Sequence, residues 1–165
     1  MYLPIEQMPD HSRVWVYQAN RPFSTSEIQA IENYLAPALT QWAAHGAGLN
    51  ASFEIRFQQV IVIAVDETVN AASGCSIDAS TRWFKEMGAN LGIDFFDRST
   101  AVVEGNELTL IPLTALKNNP LLAPSTQIIP IQTESLGAYR TGWLQTASTT
   151  WYYLHGARRL SLNGR

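Results

Sequence analysis

The chain has 165 residues, of which 46% are apolar and 15% charged, and a formal net charge of -3. That length suits one domain and can bury a full core without disulfides or metals. The mild acidity excludes an advertised basic surface for nucleic acid, and a single cysteine excludes an intramolecular disulfide framework.

Residues 1–13 carry Pro4 and Pro9 and read as an arm or loop. "VWVYQ" at 14–18 is β-branched and aromatic, which predicts a strand. "NRPFSTSE" turns the chain. Ser24 with Glu27 three residues on has the form of a capping box. Ile28, Ile31, Leu35, Leu39 and Trp42 then recur at helical spacing, with Pro37 inside the pattern as a kink rather than a stop. "HGAG" at 45–48 is a stop signal.

In "ASFEIRF", Phe53, Ile55 and Phe57 alternate with Glu54 and Arg56, the pattern of a half-buried strand. "QQVIVIAV" is apolar throughout, as a central strand requires, and the short gap between the two predicts a tight hairpin. A second helix is expected from near Asp78, with Trp83, Phe84, Met87 and Leu91 inward and Gly92 ending it. "TAVVEGNELTLIPL" gives a second hairpin, with "EGNE" as its turn. Residues 113–133 read as loop and extended chain. A last helix is expected over much of 134–146, with Leu136, Tyr139, Trp143 and Leu144 on one side.

The first six elements follow the ferredoxin-like βαββαβ order. The expected fold is α+β: an antiparallel sheet with helices on one face, in a single domain over 1–165. Residues 1–112 form its core with an added hairpin strand, and 113–165 form a C-terminal extension.

The chemistry concentrates in "VIVIAVDETVNAASGCSIDAS". Asp66 and Glu67 end the central strand, and Cys75 sits in the turn before the second helix. If Ser76 or Asp78 caps that helix, Cys75 meets unpaired N–H groups and the positive end of the dipole, which favour a thiolate. Ser73 and Gly74 flank it, and Gly74 would permit a close backbone approach or a positive φ. The same amides suit an oxyanion or a phosphate. Against this, Asp66, Glu67 and Asp78 raise a thiol pKa, and a nucleophile needs a base from His11, His45 or His155, all distant in sequence. The plain alternative is a small buried cysteine filling a tight turn.

Asp66, Glu67, Asp78, Asp94 and Asp97 suggest hard-cation ligands but lack the spacing of a calcium loop, and the histidines form no zinc motif, so no metal or cofactor is assigned. Arg21, Arg56, Arg82, Arg98 and Arg140 suit carboxylate or phosphate recognition, although nothing in their spacing groups them. "WYYLHG" near the end is an aromatic patch suited to the core or to a homodimer interface. The start is no secretory signal, and "VIVIAV" is too short to span a membrane. A soluble, cytoplasmic protein is expected, with no nucleic-acid or membrane partner.

"VWVYQANRPF" followed, after a strand hairpin, by "VDE…ASGCSIDAS" resembles an uncharacterised bacterial family whose members often carry the label "ABC transporter ATPase". The resemblance covers roughly the first 100 residues. The label implies a P-loop, G-x-x-x-x-G-K-[ST], but Lys85 follows Phe84 and Lys117 follows Leu116, so the phosphate cradle is missing. What the resemblance implies is that Ser73, Gly74, Cys75, Ser76 and Asp78 form the stretch to test. The functional expectation is a non-catalytic module binding a small molecule or a protein. Its alternatives are a cysteine-dependent acyl-transfer or hydrolase enzyme and a redox-sensing thiol, both using Cys75.

Overall fold

The computed structural model describes residues 1–44, 46–68 and 70–149. They form two compact units, where the sequence reading has one domain with an extension from residue 113. Among the described residues, the first comprises 1–97 with 131–141, and the second takes in 98–130 and 142–149.

The first unit is built on a three-stranded antiparallel sheet of β1 (Arg13–Gln18), β4 (Asn50–Arg56) and β5 (Val60–Asp66). Its order is β1-β5-β4. The uninterrupted apolar run explains why β5 is central: Val60 through Val65 are all fully buried, and only a strand covered on both faces tolerates that. Phe53 and Ile55 of β4 join Tyr17, Ile61, Ile63 and Val65 on one face. The helices α1 (Thr25–Gln41) and α2 (Gly74–Leu91) cover that face through Ile31, Leu35, Leu39, Phe84 and Met87. The two-residue strands β2 (Ala43–Ala44) and β3 (Ala47–Gly48) pair between α1 and β4.

Local signals act as expected at α1. Ser24 Oγ accepts from the Glu27 amide at 3.2 Å, and Glu27 Oε1 accepts from the Ser24 amide at 2.9 Å. The helix runs on through Pro37. Arg21 adds a link that the sequence does not show. It grips both Glu27 oxygens, at 2.9 and 2.7 Å, and reaches the Leu91 carbonyl at 3.0 Å. One guanidinium thus joins the start of α1 to the end of α2.

This lowers the Glu27 carboxyl from its ordinary 4.5 to about 2, through Arg21 first and the Ser24 amide second. A depressed carboxylate stabilises the fold fully above its unfolded value and stops doing so as pH falls through the folded one. Glu27→Gln should therefore lower the urea midpoint at about pH 6, and the deficit should shrink as the pH approaches about 2. A deficit that stays constant over that range would contradict the linkage.

The β4–β5 hairpin is as tight as expected, but its turn places Phe57 and Gln58 at φ 54° and 53°. Non-glycine residues pay roughly 1–2 kcal/mol each for that conformation. The surroundings hold it there: Ala19 donates to Gln59 at 2.9 Å and Phe23 to Gln58 at 2.6 Å.

Three expectations need correction. First, α2 begins at Gly74 rather than near Asp78, because Ser73 caps it. Second, the "TAVVEGNELTLIPL" hairpin forms but does not extend the first sheet. β6 (Thr100–Glu104) and β7 (Glu107–Ile111) belong to the second unit's sheet, of order β7-β6-β8-β9. The first sheet therefore has three antiparallel strands, in the order β1-β5-β4, and lacks β6 as a fourth, so it does not complete the expected ferredoxin-like βαββαβ sheet. Third, the sheet's other face is not open. Residues 131–141 lie against it, and the 134–146 helix shrinks to α3 (Leu136–Arg140), followed by Gly142 at φ 70°. Leu136 is fully buried, and Tyr139 bonds Glu54 and Arg56, the polar side of β4.

In the second unit, β8 (Gln127–Ile128) pairs with β6 through Val102↔Ile128, and β9 (Gln145–Thr146) pairs with β8. Val102, Ile111 and Ile128 form a small core with Leu116 and Leu122. No described helix is long and apolar enough to cross a membrane. The "WYYLHG" patch, His45 and His155 lie outside the described residues.

Candidate functional site

The "SGCSID" turn and the "DE" pair fall at one end of the first unit, where β5 finishes and α2 begins. Antiparallel pairing sets Arg13 opposite Val65, so the start of β1 lies beside the end of β5. Two clusters result.

The first is His11, Asp66 and Thr68. Asp66 Oδ1 accepts from the Thr68 amide at 2.9 Å and from its hydroxyl at 2.5 Å. These bonds, the hydroxyl first, hold the Asp66 carboxyl below its ordinary value, with His11 adding to the effect. His11 Nε2 lies 2.6 Å from Thr68 Oγ1 and 3.3 Å from Asp66 Oδ1. The Thr68 hydroxyl has one proton, and it goes to Asp66, so Nε2–H is the donor to Thr68 Oγ1. A nucleophile relay needs the opposite flow, with the hydroxyl giving its proton to a free imidazole nitrogen. Both partners also share one ring nitrogen, whereas a relay uses the two nitrogens separately. The cluster is a hydrogen-bonded turn with an exposed imidazole, not a catalytic triad.

The second is Arg13 with Glu67. Their closest approach is 3.7 Å, and Glu67 Oε1 also accepts from the Ala72 amide at 3.1 Å. Glu67 thereby fixes the loop just before the α2 cap. The Arg13 guanidinium stands over the Trp15 ring, 4.7 Å from its centroid. Trp15 continues into Trp42 and Trp83 at 6.3 and 5.1 Å between centroids. Trp42 Nε1 donates to the Ser76 carbonyl at 2.9 Å and so anchors the first turn of α2.

That anchoring settles the roles of the "SGCSID" residues. Ser73 Oγ accepts from the Ser76 amide at 3.2 Å, and Ser76 Oγ accepts from the Ser73 amide at 2.7 Å. This is a capping box with serine in place of the usual glutamate. Ser76 is buried and structural, and a ligand at its amide would have to displace Ser73. Gly74 has no positive φ, and a Cβ there would meet nothing within 4 Å, so no protein group approaches its backbone closely. Cys75 is exposed, which overturns the buried-filler alternative. Asp78 is exposed one turn into α2.

The other expected groups are not gathered here. Asp94 bonds Asn20, beyond the opposite end of β1, so the acids do not assemble into one cation site. Among the described residues no group of three or more His, Cys, Asp or Glu is placed to hold a metal ion. Arg21, Arg56 and Arg140 serve Glu27, Tyr139 and Asp10 separately, so these three line no common anionic pocket. Arg13 and Thr68 were not legible as site residues. Only the strand register brings Arg13 to Glu67, and spacing along the chain does not encode it. No family model, no curated protein and no solved structure matches the chain.

Proposed function

We propose that this protein is a non-catalytic binding module whose ligand or partner engages the β5–α2 end of the first unit. One observation carries the reading. The exposed or half-exposed polar groups His11, Arg13 and Glu67 gather where β5 ends, and the exposed thiol of Cys75 stands in the first turn of α2, while the one described histidine is committed to Asp66 and Thr68. Such a surface offers charge complementarity to a polar small molecule or a protein segment. It supplies Cys75 with no described base, which disfavours the acyl-transfer reading. The resemblance to the family labelled as an ATPase adds no reaction to this. A cytoplasmic location fits a lone exposed thiol. The antiparallel strands of the first unit, with α1 and α2 on one face, support a ferredoxin-like reading of the core, and that fold hosts many binding functions.

The test is a fragment library, half acidic and half neutral polar compounds, screened by amide chemical shifts on the full chain. Hits should move His11, Arg13, Glu67, Thr68 and Cys75 together, and Arg13→Ala should weaken the acidic hits by roughly tenfold, as for loss of a charged hydrogen bond. Shifts clustered elsewhere on the chain would sink the reading.

A further inference from the structure

An uncovered sheet edge is a row of main-chain donors and acceptors that another strand can fill. The first unit covers one edge of its sheet along β1. There the Val14 amide donates to the Glu134 carbonyl at 3.4 Å and the Gln18 carbonyl accepts from the Asp97 amide at 3.1 Å. Ser135 and Phe96 bridge to Arg13 and Gln18.

The other edge, β4, is covered at its start alone among the described residues. The Ala51 amide donates to the Met1 carbonyl at 3.0 Å, and the Ala51 carbonyl accepts from the Leu3 amide at 2.9 Å. Outward main-chain groups recur at every second residue of a strand, so those of Phe53 and Ile55 point the same way. No described residue bonds them. β4 also carries no proline and no lysine, the usual devices that blunt an edge.

Charge decides which strand fits. Two copies of β4 that meet antiparallel about a two-fold axis, with matching faces, must be centred on one residue. Centred on Phe53, Ile55 would need the Ala51 groups that the N-terminal arm already holds. Centred on Glu54, two carboxylates would stand directly opposite each other, a destabilising pair. Centred on Ile55, the two isoleucines exchange main-chain hydrogen bonds and each Glu54 stands opposite the other copy's Arg56. Tyr139 donates to Glu54 and accepts from Arg56 at 3.0 Å, so both charged side chains are positioned before the copies meet.

We propose that β4 is a self-pairing edge: two copies of this chain join antiparallel at Ile55, with Glu54 of each beside Arg56 of the other. So short a pairing makes a weak, concentration-dependent dimer rather than an obligate one. Ile55 lies near the β4–β5 turn, away from the end of β5, so the dimer and the proposed binding end stand or fall separately.

Sedimentation equilibrium of the full chain, from about 10 μM to about 1 mM, tests this. The average mass should rise from that of one chain toward that of two. Glu54→Arg and Arg56→Glu each set like charges opposite one another and should weaken the dimer roughly tenfold, and the double exchange should restore it. Ile55→Pro removes the outward donor, takes no hydrogen bond from β5, and should leave a monomer. Circular dichroism identifies the variants that fold, and should Ile55→Pro not fold, the charge exchange decides. The proposal is overturned if the native chain stays monomeric throughout. It is also overturned if the single variants dimerise as well as the native chain, which places the interface elsewhere, or if the double exchange restores nothing.

Discussion

Phe84→Ala should cost about 3–5 kcal/mol of stability, the range for a fully buried aromatic truncated to alanine. Phe84 is 0% exposed. Its ring stacks on Tyr17 of β1 at 3.6 Å between centroids and meets the edge of Phe95 at 5.4 Å. It is the point where α2 bears on the sheet, so its removal leaves a cavity bounded by elements that cannot close on each other. The Tyr17 hydroxyl, which burial holds above its ordinary pKa and which lies 3.2 Å from Ser80 Oγ, would gain water at the same time. Urea denaturation followed by tryptophan fluorescence measures the loss. A cost below about 1 kcal/mol would mean that α2 is not packed as described.

Gly88→Ala separates local propensity from tertiary structure. In an isolated helix the change would gain about 1 kcal/mol. Here it should lose about 1–3 kcal/mol, as for overpacking a close contact. A Cβ at Gly88 would lie 2.5 Å from the Ile93 carbonyl oxygen, too close to remain. Ile93 cannot simply yield, because its amide donates to the Gly88 carbonyl at 3.1 Å and Gly92, at φ 66°, turns the chain there. Gly74→Ala is the control, since its Cβ would enter open space. Thermal melts of the pair should give a lowered midpoint for Gly88→Ala and an unchanged or raised one for Gly74→Ala. Two midpoints moving in the same direction would refute the packing argument.

The contrast between these glycines shows what a sequence carries. Signals that act within a few residues were legible. The Ser24–Glu27 cap, the αL glycine at 92, the inward Phe53 and Ile55 of β4 and the unbroken apolar run of β5 all rest on neighbouring side chains and emerge as read, whereas Phe57, expected on the same face, falls in the turn. The start of α2 was missed because a serine at position 76 replaced the glutamate that marks a capping box. The partner sheet of the second hairpin was missed for another reason: period-two alternation specifies a strand but not what it pairs with. The place of 131–141 on the first unit was hidden because Tyr139 and Gly137 are matched to Glu54, Arg56 and Asp10 far along the chain. The site divides in the same way. Asp66, Glu67 and Cys75 were singled out as candidates from their place at a strand-to-helix turn, but pairing β1 with β5 was needed to bring Arg13 to Glu67, and the fold to show that His11 is already occupied.

Alkylation of Cys75 by iodoacetamide, on the native chain and on His11→Ala, most directly tests the claim that this end of the molecule presents an accessible thiol without a catalytic base among the described residues. The account predicts that native Cys75 labels without unfolding, no more than about tenfold slower than in the urea-unfolded chain, and that His11→Ala leaves the rate unchanged. Labelling only on unfolding would contradict the exposed site. A native rate above that of the unfolded chain that collapses in His11→Ala would show a working cysteine–histidine pair, and the non-catalytic reading would fall.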